Sequence, residues 1–172
     1  MSTDSIEEYL MTIITAIDKN RGIGKNGDLL VRIPKDHKRF REMTTGKVVV
    51  LGRKTLATFP QGLPLPNRTN IVFSNDPNLK IKGAEVVHSV EEFLDKTKEY
   101  DPDDIYIIGG ESIYSQLLPY CDRALVTEID YAYDADSYFP DFMGSGEWEK
   151  VTESDEQIYF DLSYYFTEYR RK

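Results

Sequence analysis

Apolar residues along this chain gather in short unbroken runs rather than in alternating or helical stripes. MTIITAI (11–17), KVVVLG (47–52), NIVFS (70–74), DIYIIGG (104–110) and RALVTEID (123–130) are such runs, and AEVVHS (84–89) is a weaker one. Runs of this length and β-branched content predict strands buried on both faces. Helical segments are predicted between them. One starts at Pro34, since proline is favoured at the first helical position, and ends near Thr44–Gly46. A second runs from the N-cap Ser89 to about Tyr100, with Glu92 placed for a capping box. A third spans about Glu111 to Leu118, and Gly52–Thr55 forms a short helical turn. Period-2 alternation appears only in the tail. Ile158-Tyr159-Phe160 and Tyr164-Tyr165-Phe166 predict two antiparallel strands within 147–170, turning near Asp161–Ser163. Together these elements predict an α/β fold: a doubly wound, mostly parallel eight-stranded sheet flanked by four helices, with an antiparallel C-terminal edge hairpin.

Ligands of such sheets bind outside the carboxyl ends of the strands. Three stretches lie there. The first is the loop after strand one, with Gly22, Gly24 and Gly27, where glycines signal mobility or close backbone approach. The second is Gly52-Arg53-Lys54-Thr55, which places two cations and a hydroxyl at a helix start. Cations there oppose the helix dipole unless an anion compensates; a bound phosphate would do so, and the alternative, two exposed charges solvated by water, is weakened by that cost. The third is Gly109-Gly110-Glu111-Ser112, whose bare backbone suits an anion or simply a tight turn. It lacks the GxGxxG spacing of the dinucleotide fingerprint. Two such turns on one sheet point to a ligand with more than one phosphate.

Asp36 lies in the first turn of the helix that begins at Pro34, with Phe40 and Met43 down the same face. It is either a helix-start charge or an acid kept in an apolar pocket. Arg68, in the proline-stiffened loop 62–70, is equally a carboxylate partner or a surface arginine. Thr127 interrupts an apolar strand, and its hydroxyl needs a partner: its own backbone or a buried carboxylate.

Composition narrows the classes. The chain has 172 residues, suited to one domain, and a formal net charge of -9, which argues against a nucleic-acid surface. No run is long enough to span a bilayer. The acidic start MSTDSIEEYL reads as an N-terminal extension (1–10) before a single domain (11–172), not as a signal peptide. The one cysteine, Cys121, suits a reducing, cytoplasmic setting. His37 and His88 have no metal-ligand spacing, so no metal is expected. Without an apolar stripe beyond the core's needs, a monomer is expected.

The order of several segments resembles the dihydrofolate reductase family from about residue 11 to the end. They are Gly22-Ile23-Gly24, Ile33-Pro34-Lys35-Asp36, Phe40, Val50-Leu51-Gly52-Arg53-Lys54-Thr55, Leu65-Pro66-Asn67-Arg68, Ile107 to Tyr114, Leu118-Pro119, Thr127-Glu128-Ile129 and Phe139-Pro140. The resemblance implies reduction of dihydrofolate to tetrahydrofolate by NADPH, for one-carbon metabolism, with dihydrofolate and antifolate inhibitors as ligands. It implies that Asp36 holds the pterin through N3 and the 2-amino group and supports protonation at N5, with the hydride going to C6. Leu29, Phe40 and Leu65 would wall the substrate pocket. Ile14 and Ile108 would offer carbonyls at the pterin edge, and Thr127 would bond Asp36. Arg68 would pair with the substrate's glutamate α-carboxylate, with Arg41 nearby. Ala16, Ile23 and Gly24 would flank the nicotinamide. Gly52, Arg53, Lys54, Thr55 and Ser74 would hold the adenosine phosphates. Gly109, Gly110, Glu111, Ser112, Ile113 and Tyr114 would carry the pyrophosphate, with a cis Gly–Gly bond. Three positions depart from the family pattern. Val31 replaces a usual tryptophan, His37 a usual apolar residue, and Leu29-Leu30 a residue–proline pair. A related reductase of riboflavin synthesis shares the fold, but would replace the Asp36 pocket and the Arg68 clamp.

Overall fold

The computed structural model describes residues 10–172, so most of the predicted extension lies outside the described residues. In chain order the elements are β1 (Met11–Ile17), β2 (Gly22–Gly24), α1 (Pro34–Thr44), β3 (Val48–Gly52), α2 (Arg53–Leu56), β4 (Thr69–Phe73), β5 (Ala84–Val87), α3 (Val90–Lys96), β6 (Ile105–Gly109) and α4 (Glu111–Leu117). There follow β7 (Cys121–Ile129), β8 (Ser137–Tyr138), β9 (Trp148–Glu153), β10 (Gln157–Tyr159) and β11 (Leu162–Arg171).

The main sheet runs β10-β11-β7-β1-β6-β3-β4-β5, and it is parallel from β7 to β5. β11 joins antiparallel to β7. The outer position is shared. β10 pairs with the first residues of β11 and β9 with the last ones, so eight positions hold nine strands. The tail therefore contains three strands rather than the two expected. Its hairpin turn is Phe160-Asp161, since Tyr159 pairs with Leu162. The helix predicted from Ser89 to Tyr100 closes its α-turns at Lys96 and continues as a 3-10 turn through Glu99. Ser89 caps it as expected, accepting the Glu92 N–H.

Consecutive strand residues serve opposite faces of the sheet, which is why the runs are apolar throughout. Val50, Ile71 and Ile107 pack into the large core, while Leu51 and Val72, with the partly buried Ile108 against them, form a cluster on the other face. A third cluster sits under the start of α1. Ile33, Ile129 and Tyr164 are buried there, with Ala16, Val31, Tyr159 and Phe166 against them. This last cluster seats Asp36.

Candidate active site

α1 starts without a side-chain cap; Pro34 sets its first turn and Asp36 is its third residue. The Thr127 hydroxyl, projecting from β7, donates to Asp36 Oδ1 at 2.5 Å. The expected partner of the buried threonine is therefore the carboxylate rather than its own backbone. Burial pushes the Asp36 carboxyl above the usual carboxylate range; the Thr127 hydrogen bond and the charges of His37 and Arg39 pull the other way. Burial thus outweighs the helix start, and the carboxyl holds its proton more tightly than an exposed one. Phe40 and Met43 are half-buried on the same helix. Val31 fills the apolar cluster beneath, with Ile33 and Tyr159. Leu29 does not join that wall in this conformation; it is 49% exposed.

At the adjacent strand ends, the Ile14 carbonyl accepts the Tyr114 hydroxyl at 2.9 Å. Ile108, the neighbour of Gly109, lies half-buried at the end of β6. The Gly109–Gly110 peptide is cis, and Gly109 has φ 133, a region only glycine occupies comfortably. A Cβ on Gly110 would stand 3.0 Å from Thr55 Oγ1, so the two anion-type turns meet side by side. Gly52 is backed by Ile113, whose Cγ1 would lie 3.2 Å from an added Cβ. Ile113 and Tyr114 are buried beneath the turn and can offer it only backbone. Ser112 accepts from Gln116 at 2.7 Å. The Glu111 carboxylate is turned to the Tyr138 N–H. α2 is a single turn, so the dipole penalty on Arg53 and Lys54 expected from the sequence is small; both cations are exposed. Ser74, at the end of β4, is buried and its hydroxyl accepts the Asp76 N–H.

Arg68 is set by its loop: Nε donates to the Pro66 carbonyl at 3.0 Å and Nη1 to Thr44 Oγ1 at 3.2 Å. Burial and the like charge of Arg41 both lower its proton affinity, a repulsion that a bound anion would relieve. Leu65 is held by a residue that sequence reasoning missed. The buried Asn70 side chain accepts the Leu65 N–H at 3.0 Å and donates to the Leu65 carbonyl at 2.9 Å.

The loop after β1 carries Ile23 and Gly24. Its base is fixed by another missed residue, the buried Asp18. Oδ1 accepts the N–H groups of Asn20 (2.8 Å) and Gly22 (2.7 Å), and Oδ2 that of Tyr133 (2.9 Å). Further along, β2 pairs with β8, and Asp136 takes the Asn26 N–H at 3.0 Å. Ala16, beside this loop, packs in the cluster under Asp36.

A carboxyl in an apolar seat and two joined phosphate-type turns thus share the carboxyl-end rim of one sheet, while Arg68 stands at the far end of α1, where β3 and β4 begin. The sequence model of the family described as dihydrofolate reductase matches residues 10–171. The chain belongs to the dihydrofolate reductase family. It is 36% identical over 167 residues to the dihydrofolate reductase of Bacillus subtilis (strain 168), covering 95% of each chain. It is 34% identical over 165 residues to that of Staphylococcus haemolyticus, covering 94% of this chain and 95% of the other. The solved dihydrofolate reductase from Enterococcus faecalis, complexed with NADP(H) and RAB-propyl, superposes with a TM-score of 0.82 at 33% identity, over 96% of this chain and 98% of that one. Among the described residues, no helix of this dihydrofolate reductase-family chain is long and apolar enough to cross a membrane.

Proposed function

We propose that this chain reduces 7,8-dihydrofolate to 5,6,7,8-tetrahydrofolate with NADPH, feeding one-carbon metabolism, and that antifolate inhibitors occupy the same pocket. The observation that carries the reading is Asp36: one half-buried carboxyl, bonded by Thr127 and held above the usual carboxylate range. A reaction that must put a proton on N5 next to a hydride acceptor needs such a group near neutral pH.

Asp36 holds the pterin N3 and 2-amino group and keeps a proton available for N5. Thr127 fixes its orientation. Phe40, Leu65 and, on loop closure, Leu29 pack against the substrate, and Ile14 and Ile108 present carbonyls to the pterin edge. Arg68, with Arg41 beside it, takes the glutamate α-carboxylate. The cofactor site fits on geometric grounds. Gly52, Gly109 and Gly110 bring bare backbone together in two adjoining turns, where an added Cβ would press on Ile113, Tyr114 or Thr55, and Arg53 and Lys54 stand exposed beside them. There Thr55, Ser74 and the backbone from Glu111 to Tyr114 complete the phosphate contacts, while Ala16, Ile23 and Gly24 border the nicotinamide. NADPH supplies the hydride that pterin C6 receives. The loop from Gly22 onward excludes water from the closed site.

The test is NADPH oxidation, followed by nicotinamide absorbance, with and without dihydrofolate. Dihydrofolate-dependent turnover is expected. Tight NADPH binding without such turnover would overturn the reading and leave a binding protein on this fold.

A further inference from the structure

We propose that Arg39 is a positioning residue for Asp36: a fixed positive charge, seated on the Phe166 ring, that sets the pH range over which the carboxyl keeps its proton. The inference rests on the role just given to Asp36 and adds a residue to it.

Asp36 and Arg39 are three apart on α1, and residues at that spacing are neighbours on one helix face. The Arg39 guanidinium lies 4.4 Å from the centroid of Phe166. Phe166 on β11 pairs directly with Thr127 on β7, and Thr127 is the residue that donates to Asp36. The strand pair that orients the carboxyl therefore also seats the cation. Glu168, the carboxylate on the same strand that could draw Arg39 away, is bound to Arg123 at 3.1 Å and to Arg170 at 2.7 Å. Among the described residues, Arg39 has the aromatic ring as its contact and makes no close ion pair of its own.

The charged and titratable groups around the pair are few. α1 contributes His37 and Lys35, whose ammonium stands 6.0 Å from the same ring and is bonded to Gln157. β7 contributes Arg123, and β11 contributes Tyr164 and Glu168. Arg39 differs from His37 in being always charged, so its effect on Asp36 is the same at every working pH. The electrostatics agree in direction: the Arg39 charge lowers the proton affinity of Asp36, against burial. The family's polar departure at His37 is thus accompanied by a permanent cation two residues on.

The experiment titrates the Asp36 carboxyl by carbon NMR in the ligand-free protein, with the pH profile of kcat/KM alongside. Arg39→Met keeps an apolar stem on Phe166 and removes the charge; Arg39→Lys keeps the charge. A unit charge at helix-neighbour distance in a water-rich setting moves a carboxyl by about half a pH unit. Arg39→Met is expected to raise the midpoint by about that amount, while Arg39→Lys stays near the parent. An unmoved midpoint in Arg39→Met overturns the proposal. So does an equal shift in both variants, which would mean the ring packing matters and the charge does not. If the parent protein turns over no dihydrofolate, the functional reading falls, and the carboxyl titration still decides whether Arg39 governs Asp36.

Discussion

Glu111 Oε1 accepts the Tyr138 N–H at 2.8 Å. Tyr138 lies in β8, whose partner across the small sheet is Gly22 of β2. The double-glycine turn and the loop after β1 are therefore joined through one side chain. Glu111→Ala removes an acceptor contributing about 1 kcal/mol, so amide exchange in the β2–β8 pair should quicken about fivefold. Glu111→Gln keeps an acceptor oxygen and should exchange like the parent. Hydrogen exchange at Asp136 and Phe139, whose N–H groups are held by the Gly24 and Arg21 carbonyls at 3.0 and 2.7 Å, checks this, and equal rates in all three proteins would show that the two loops are independent.

Asp36 predicts a trade between stability and activity. Burial raises its proton affinity in the folded state, so folding favours the neutral acid. The stability this group contributes is fully present below its unfolded value and is lost as pH rises through the higher folded value. Asp36→Asn keeps an acceptor for Thr127 without a partly desolvated charge. It should resist urea better than the parent at neutral pH, and that advantage should shrink as pH falls into the ordinary aspartate range. Turnover at neutral pH should drop by about a hundredfold or more, the usual effect of losing a general acid. NADPH binding should persist. Matching urea midpoints at neutral pH would refute the claim that the ionised carboxyl weighs on the fold.

Among the cations proposed for the adenosine phosphates, we propose that Lys54, exposed on α2 near Gly52, reads the 2′-phosphate. Losing one charge-assisted contact should weaken NADPH about tenfold. NADH lacks that phosphate and should bind Lys54→Ala almost as it binds the parent. Titrating both cofactors into both proteins decides it, since equal weakening would move Lys54 to another phosphate.

The central strands were legible because most of their residues are apolar in unbroken runs, as a sheet covered on both faces favours. Val49, Val50 and Leu51 on β3 are each fully buried. The tail was harder. β9 buries only Trp148 of its six residues, so it has no alternation to read. β2 and β8 are too short to show a period. In the site, Asp36, Thr127 and the glycine turns carried local signals, and the family resemblance supplied roles that local signals could not. Asp18 gave no signal, because an aspartate after a strand ordinarily reads as a turn residue. Asn70 was hidden inside an apolar run, and its two bonds to Leu65 depend on a loop whose path the sequence does not specify. Arg39 carries no local signal that separates it from any other charge on a helix.

Asp18 yields the most local prediction. Its Oδ1 serves Asn20 and Gly22 on one loop, and its Oδ2 serves Tyr133 on another. Asp18→Ala leaves three backbone N–H groups without their acceptor, each costing about 1–3 kcal/mol where water cannot reach. It should unfold at clearly lower urea and lose turnover, as the base of the loop that carries Ile23 and Gly24 loosens. Asp18→Asn separates the two loops. The amide oxygen can replace Oδ1 and keep both bonds on the first loop. The amide nitrogen then faces the Tyr133 N–H, donor against donor, and that bond is lost. Amide exchange should therefore quicken at Tyr133 while Asn20 and Gly22 stay protected. Uniform loss of protection at all three amides would instead mean that Asp18 works by its charge, and that an acceptor oxygen alone cannot hold the loop.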